Sequence, residues 1–255
     1  MTTPPVPAAA RTVRRDWEAL TSGSPSKGTF DPAMVDHLPE PARRWLRHAI
    51  APGTPLWRSV VLTMRGEIRL GSWRPFTARQ VLSPPRGFIW AATARLFGLP
   101  VTGFDRYSSG SGQMNWRLGG LVPVLTASGP DVTRSAAGRL VGEMALVPTA
   151  FRGATWSSGV DDDHAVVTWR IDEQQESAAF QVGVDGRLLG VVVQRWGNPD
   201  GAPFGRYPFG VAIDGERTWS GVTIGSVLRA GWWWGTDRQA EGEFFRARIE
   251  AADFR

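Results

Sequence analysis

The chain has no cysteine, which excludes disulfides, thiolate catalysis and cysteine-ligated zinc or iron–sulfur centres. Lysine is reduced to Lys27, so the net charge of +5 comes from arginines interspersed with acidic residues. Scattered arginine suits a solvated surface better than a nucleic-acid footprint, and no nucleic-acid partner is expected. His37, His48 and His164 lie far apart in the sequence and compose no zinc motif; His48, on a basic helix face, reads as surface. The run Asp161, Asp162, Asp163 lacks the alternating D-x-D-x-D-G spacing of a calcium loop and reads as a solvated turn, so no metal is expected. No apolar run approaches a bilayer-spanning length, and MTTPPVPAAARTVRRDWEAL has no apolar segment after a basic one. The expectation is a cytoplasmic protein without stable membrane insertion. There is no G-x-S-x-G elbow, P-loop or dinucleotide fingerprint, hence no support for a hydrolase triad or a bound cofactor.

The chain does have size and apolar mass: 255 residues, 42% hydrophobic, with thirteen tryptophans. That is enough for one large core. The one long helical pattern is TRSAAGRLVGEMALVPTA, from Thr133. Ala136, Ala137, Leu140, Val141, Met144, Ala145 and Val147 share a broad stripe, with Ser135, Gly138 and Gly142 opposite. An oily face backed by a small one predicts a helix covered on both sides, over 133–147, with Thr133 as N-cap and Pro148 as stop. Residues 1–30 are expected to be a flexible N-terminal segment with a short helix over 12–20, and residues 31–255 a single β-rich domain. LPEPARRWLRHAI forms an amphipathic helix with Ala42, Trp45, Leu46, Ala49 and Ile50 inward.

From Trp57 onward the hydrophobic period changes to two. Val60, Leu62 and Met64 alternate with Ser59, Val61 and Thr63, and further alternating runs predict about five strands before the central helix. After it, Asp185-Gly186 between two alternating runs is a hairpin signal, and Asp214-Gly215 reads as a second one. The fold expected is mainly β (α+β): one curved antiparallel sheet or half-barrel of about ten strands wrapped around the central helix, with N-terminal amphipathic helices. A closed lipocalin-like barrel is the alternative.

LPEPARRWLRHA, WRPFTARQ with PPRGFIW, DRYSSGSGQM, GRLVGEMALVPTAF and VVVQRW occur in this order between about Leu38 and Ile249. Together they resemble a bacterial family catalogued as domain of unknown function 6544. The resemblance rests on Trp73, Phe76, Gln80, Phe88, Trp90, Asp105, Tyr107, Gly110, Gly112, Glu143, Pro148 and Arg195. It departs at the helix, where this chain has Ala-Gly-Arg-Leu-Val in place of a bulkier stretch. It implies no activity; by analogy alone, the fold looks like an open lipoprotein-carrier half-barrel.

Asp105 and Tyr107 share a strand face, and if that face is inward, desolvation would raise the Asp105 pKa. The structural alternative pairs Asp105 with Arg106 or Arg117, or with the SSGSG turn. Glu143 either pairs with Arg139 one turn earlier or converges with Asp105 and Arg195 inside the sheet. Arg195 extends the row Leu189, Val191, Val193, where an arginine needs a partner or an anionic ligand. The leading reading is a non-catalytic protein binding an apolar or amphipathic small molecule, with Arg195, Tyr107, Trp90, Trp116, Met144 and Gln80 at the ligand. The second is an enzyme with Asp105 and Glu143 as acid and base and Arg195 anchoring an anionic substrate. The third is a homodimer formed through the Trp232-Trp233-Trp234 ridge.

Overall fold

The structure, a computed structural model, describes residues 4–96 and 98–255. Strands β1 (Ser26–Thr29) and β2 (Pro55–Leu56) pair with each other. The remaining described strands form one antiparallel sheet: β3 (Val60–Leu70), β4 (Ser72–Ser83), β5 (Gly87–Leu96), β6 (Leu99–Ser108), β7 (Ser111–Leu118), β8 (Val122–Ser128), β9 (Thr155–Ser158), β10 (His164–Ile171), β11 (Gln174–Val182), β12 (Leu188–Gly197), β13 (Gly205–Trp219), β14 (Val222–Trp232) and β15 (Glu243–Phe254). Their spatial order is β8-β7-β6-β5-β4-β3-β15-β14-β13-β12-β11-β10-β9. The chain therefore meanders from β3 out to one edge, crosses, and meanders back from the other edge until β15 pairs with β3. The edges β8 and β9 do not pair, so the sheet is an open half-barrel and not the closed lipocalin-like alternative.

Four α-helices are described: α1 (Arg14–Thr21), α2 (Glu40–Ala49), α3 (Pro130–Glu143) and α4 (Gln239–Gly242). Helix α3 makes the crossing, touching β5 to β8 on one wing and β10 to β12 on the other. Only a sheet curled around the helix allows both contacts. The helix starts at Pro130, three residues before the expected cap, because proline's fixed φ is already that of a first turn. Thr133 instead accepts the Gly112 N–H through Oγ1 at 3.0 Å, fastening the helix to β7. At the other end α-helical bonding stops at Glu143, and Met144–Leu146 tighten into a 3₁₀ turn before Pro148.

The concave face buries Leu62, Met64, Phe76, Leu82, Phe88 and Trp90 in one core with Leu140, Val141 and Met144 of α3. Helix α2 joins this core as its apolar stripe predicts: Trp45 packs on Trp156 and Phe180 at ring separations of 5.9 and 5.1 Å. On α2, His48 does not sit free on the surface; its Nε2 lies 2.9 Å from a carboxylate oxygen of Glu216.

The convex face carries the alternate residues. Val61, Val81, Ile89, Ala91 and Phe104 form a second core with Ala10, Val13, Trp17 and Leu20. The segment expected to be flexible, with a short helix over 12–20, folds from Ala8 to Thr21 as a 3₁₀ turn and α1, because its apolar side chains cover a strand face that would otherwise be wet. Asp16 and Arg106 clamp it at 2.7 Å. Residues 26–29, also within the segment expected to be flexible, pair with β2. The first three residues of the expected flexible segment lie outside the described residues.

Two further expectations change. Asp214-Gly215 is no turn: β13 runs through it, with bulges on either side of Gly215, and Asp214 is held by Arg229 at 2.7 Å. The chain reverses at Ser220-Gly221, where φ is 50° and 80°, the pairing a tight hairpin needs. Six strands of the large sheet precede α3, one more than expected, since Val122-Pro123-Val124 hides an edge strand that tolerates proline.

Trp17 is fully buried on the convex face. Trp17→Ala should lower unfolding free energy by about 3–5 kcal/mol, measured by urea denaturation. A loose N-terminal segment would leave it unchanged.

Candidate functional site

Two cavities lie between α3 and the concave sheet. The larger encloses about 790 Å³ and the smaller about 160 Å³, and both are lined by Ile68, Trp90, Asp105, Arg139, Arg195 and Phe244. The larger is walled by Phe76, Phe88 and Trp116, and its rim carries the exposed side chains Leu70, Val124, Leu125 and Phe204. Aromatic walls arise because Phe76 of β4 packs on Trp90 of β5, and Trp90 on Trp116 of β7 across the intervening Gly103 strand, with Phe245 of β15 stacked on Phe76 at 5.3 Å.

Arg139, projecting from α3, is the polar hub. Its Nε donates to Glu143 Oε1 at 2.7 Å and its terminal nitrogen to Asp105 Oδ2 at 3.2 Å. Trp116 Nε1 donates to the other Asp105 oxygen at 2.9 Å, and Gln80 Nε2 to the other Glu143 oxygen at 2.6 Å. All four carboxylate oxygens therefore have a donor. The guanidinium also lies over Phe88, 4.5 Å from the ring centre. Burial works against its charge, but Glu143 and Asp105 outweigh burial and hold its pKa above the ordinary value. Burial pushes the Asp105 carboxyl up, more than Arg139 and Trp116 pull it down. The partner is thus neither Arg106 nor Arg117: Arg106 goes to Asp16, and Arg117 bonds a backbone carbonyl.

Arg195 is different. Its Nε donates to the Ser135 carbonyl at 3.2 Å, and its guanidinium lies over Phe209 and Trp232, 4.9 and 5.2 Å from the ring centres. It forms no ion pair among the described residues. Burial, then the nearby charge of Arg139, lower its pKa to about 10, with Asp105 and Glu143 partly offsetting them. It stays cationic at neutral pH. The inner row reaching it is Val191 and Val193; Leu189 is turned to solvent, displaced by a register shift where Val182 meets Leu188.

Of the residues singled out from sequence, Gln80, Trp90, Asp105, Trp116, Glu143 and Arg195 line these cavities. Two do not. Tyr107 is buried on the same strand face as Asp105, but its hydroxyl is taken by Asp172; burial and that carboxylate push the phenol pKa up. Met144 is fully buried and its sulfur faces the Trp169 indole N–H. Arg139 was missed as a hub because only its helical neighbour Glu143 is visible in sequence; Asp105 is 34 residues away. The Trp232-Trp233-Trp234 ridge is occupied within the chain: Trp232 against Phe209, and Trp233 on Tyr207 with its N–H to Asp200 at 2.8 Å. Asp161 to Asp163 form an exposed turn in which Asp161 accepts the Asp163 N–H.

These features define an open β half-barrel gripping a helix, with an aromatic cavity between them. The chain belongs to the family of unknown function DUF6544, which it matches over residues 28–244. No protein of curated function matches it. Among solved structures it is similar to a DUF1329 family protein from Desulfovibrio piger (10% identity, TM-score 0.45, covering 88% of this chain and 94% of that one). It is also similar to the LolA superfamily protein NE2245 from Nitrosomonas europaea (8%, TM-score 0.40, 77% and 85%). A domain from Vibrio parahaemolyticus described as an outer membrane lipoprotein-sorting protein is a third (9%, TM-score 0.38, 78% and 86%). No described helix is long and apolar enough to cross a membrane.

A carboxyl with a raised folded-state pKa favours folding below its unfolded value, and that contribution is lost as pH rises through the folded pKa. Asp105→Asn should therefore gain stability relative to the parent chain as the pH is raised above the ordinary aspartate value and the parent's carboxyl is forced to ionise in its buried site. Thermal unfolding across that range checks it, and a difference that stays flat with pH would contradict the raised value.

Proposed function

We propose that this chain is a binding protein for an amphipathic small molecule, whose apolar body fills the larger cavity and whose anionic end meets Arg195. A cavity of about 790 Å³ is of ligand size, and its walls are mainly apolar. The observation that carries the reading is Arg195: a half-buried guanidinium on an aromatic wall, with no carboxylate partner among the described residues. Removing such a cation from water is unfavourable unless something compensates, and an anionic ligand group would do so.

The acid–base reading draws less support. Asp105 and Glu143 do face one small cavity, but all four of their oxygens are held by Arg139, Trp116 and Gln80. A general base must also reach the substrate's proton, and these donors leave each oxygen only one further acceptor site for it.

Native mass spectrometry before and after organic extraction tests occupancy; the expected result is a reproducible added mass that extraction removes. Quenching of the cavity tryptophans by a fatty acid then tests the anchor. Arg195→Gln should weaken binding roughly tenfold to a hundredfold and leave the corresponding fatty alcohol unaffected. Equal weakening of both would place the headgroup elsewhere.

A further inference from the structure

Three hairpin turns at one end of the sheet each hold a leucine in solvent beside an arginine. The turns β3–β4, β5–β6 and β7–β8 close with Leu70 opposite Ser72, Leu96 opposite Leu99 and Leu118 opposite Val122. Because β3 to β8 are successive antiparallel neighbours, these turns line up along one rim, spaced by roughly 10 Å. Leu70, Leu99 and Leu121 are 40%, 53% and 79% exposed, and Val122 and Val124 extend the apolar strip along β8. An apolar strip of this length is unusual on a surface that faces only water.

The neighbouring Arg69, Arg95 and Arg117 are exposed, and none forms an ion pair among the described residues. Arg69 and Arg117 donate to backbone carbonyls, of Glu241 and Leu121. At the same end Arg238 already holds Asp200 and Glu241, at 2.9 and 3.1 Å. Protruding leucines backed by unneutralised guanidinium groups complement a surface that is negative outside and apolar a few ångströms below.

We propose that this rim docks on an anionic lipid bilayer, with Leu70, Leu99 and Leu121 entering the headgroup boundary and Arg69, Arg95 and Arg117 contacting lipid phosphates. The surface goes beyond the cavity reading and stands without it. If both hold, the cavity mouth, whose rim includes Leu70 and Val124, opens toward the membrane.

Flotation of the full chain with phosphatidylcholine vesicles, with and without phosphatidylglycerol, tests the proposal. The chain should float with the anionic vesicles only and be released by salt. Two triple variants, Leu70→Ser with Leu99→Ser and Leu121→Ser, and Arg69→Gln with Arg95→Gln and Arg117→Gln, should each cut the bound fraction on the order of tenfold or more. All six positions are exposed, and circular dichroism confirms the fold of each variant. Arg195→Gln should float like the parent chain, so a cavity that binds nothing and a rim that docks normally are separable results. No flotation with anionic vesicles, or equal flotation of the triple variants, overturns the proposal. So does a parent chain that sediments as a dimer and a leucine variant that sediments as a monomer, which would make a second copy the occupant.

Discussion

The fold depends on one connection: α3 must carry the chain from the β8 edge of an open sheet to the β9 edge. A meander cannot return along its own hydrogen bonds, so the crossing runs over a face, and burial selects the concave one. A helix there is covered on both sides. Ala136, Ala137, Leu140 and Val141 fill the core, while Gly138 and Gly142 let β12 approach closely. A methyl group at Gly142 would already touch Val193 at 3.6 Å, and one at Gly138 would touch the Arg195 stem at 3.7 Å. Larger side chains would push this wing outward, and Arg195 with it. The small face of the helix thus sets the position of the charged side chain.

A helix covered on both sides has few places for charge, so Arg139 needs partners from the sheet as well as from its own next turn. Asp105 arrives from β6 and Glu143 from α3, and Trp116 and Gln80 satisfy the oxygens that Arg139 leaves. A largely buried network completed in this way is rigid, and losing one member would leave the others short of a partner. It also makes Arg195 distinctive. Both carboxylates are already committed to Arg139, whose own charge repels the second guanidinium and helps lower its pKa to about 10. Two arginines lie along one cavity, one saturated and one not.

The elements defined by near neighbours were legible in the sequence. The stripe of α3, the inward face of α2, the period-two strands and the Asp185-Gly186 hairpin all depend on residues within a turn or two of each other. The misreadings follow from distance or from degenerate signals. Asp-Gly at 214–215 has hairpin chemistry, but β14 pairs straight across it, and tertiary pairing overrode the local preference. Pro123 masked an edge strand. The helix expected over 12–20 had no visible docking place, because the surface it covers, Val61, Val81, Ile89 and Phe104, is spread over four strands. At the site, Arg195, Trp90 and Gln80 were readable as inward polar or aromatic positions. The Tyr107 hydroxyl was not, since Asp172 lies 65 residues further along.

The half-barrel stays open for reasons present at both of its edges. β8 lacks one backbone donor at Pro123, carries a register shift between Trp116 and Arg117 of its neighbour, and is almost wholly exposed. β9 offers four residues. Strands so short or interrupted make poor partners for each other, a common means of blunting a sheet edge. With α3 wedged between the wings, closure would also require the helix to leave the core it completes. The mouth between the wings is therefore a consequence of how the chain crosses its own sheet, and access to the cavity needs no separate moving lid.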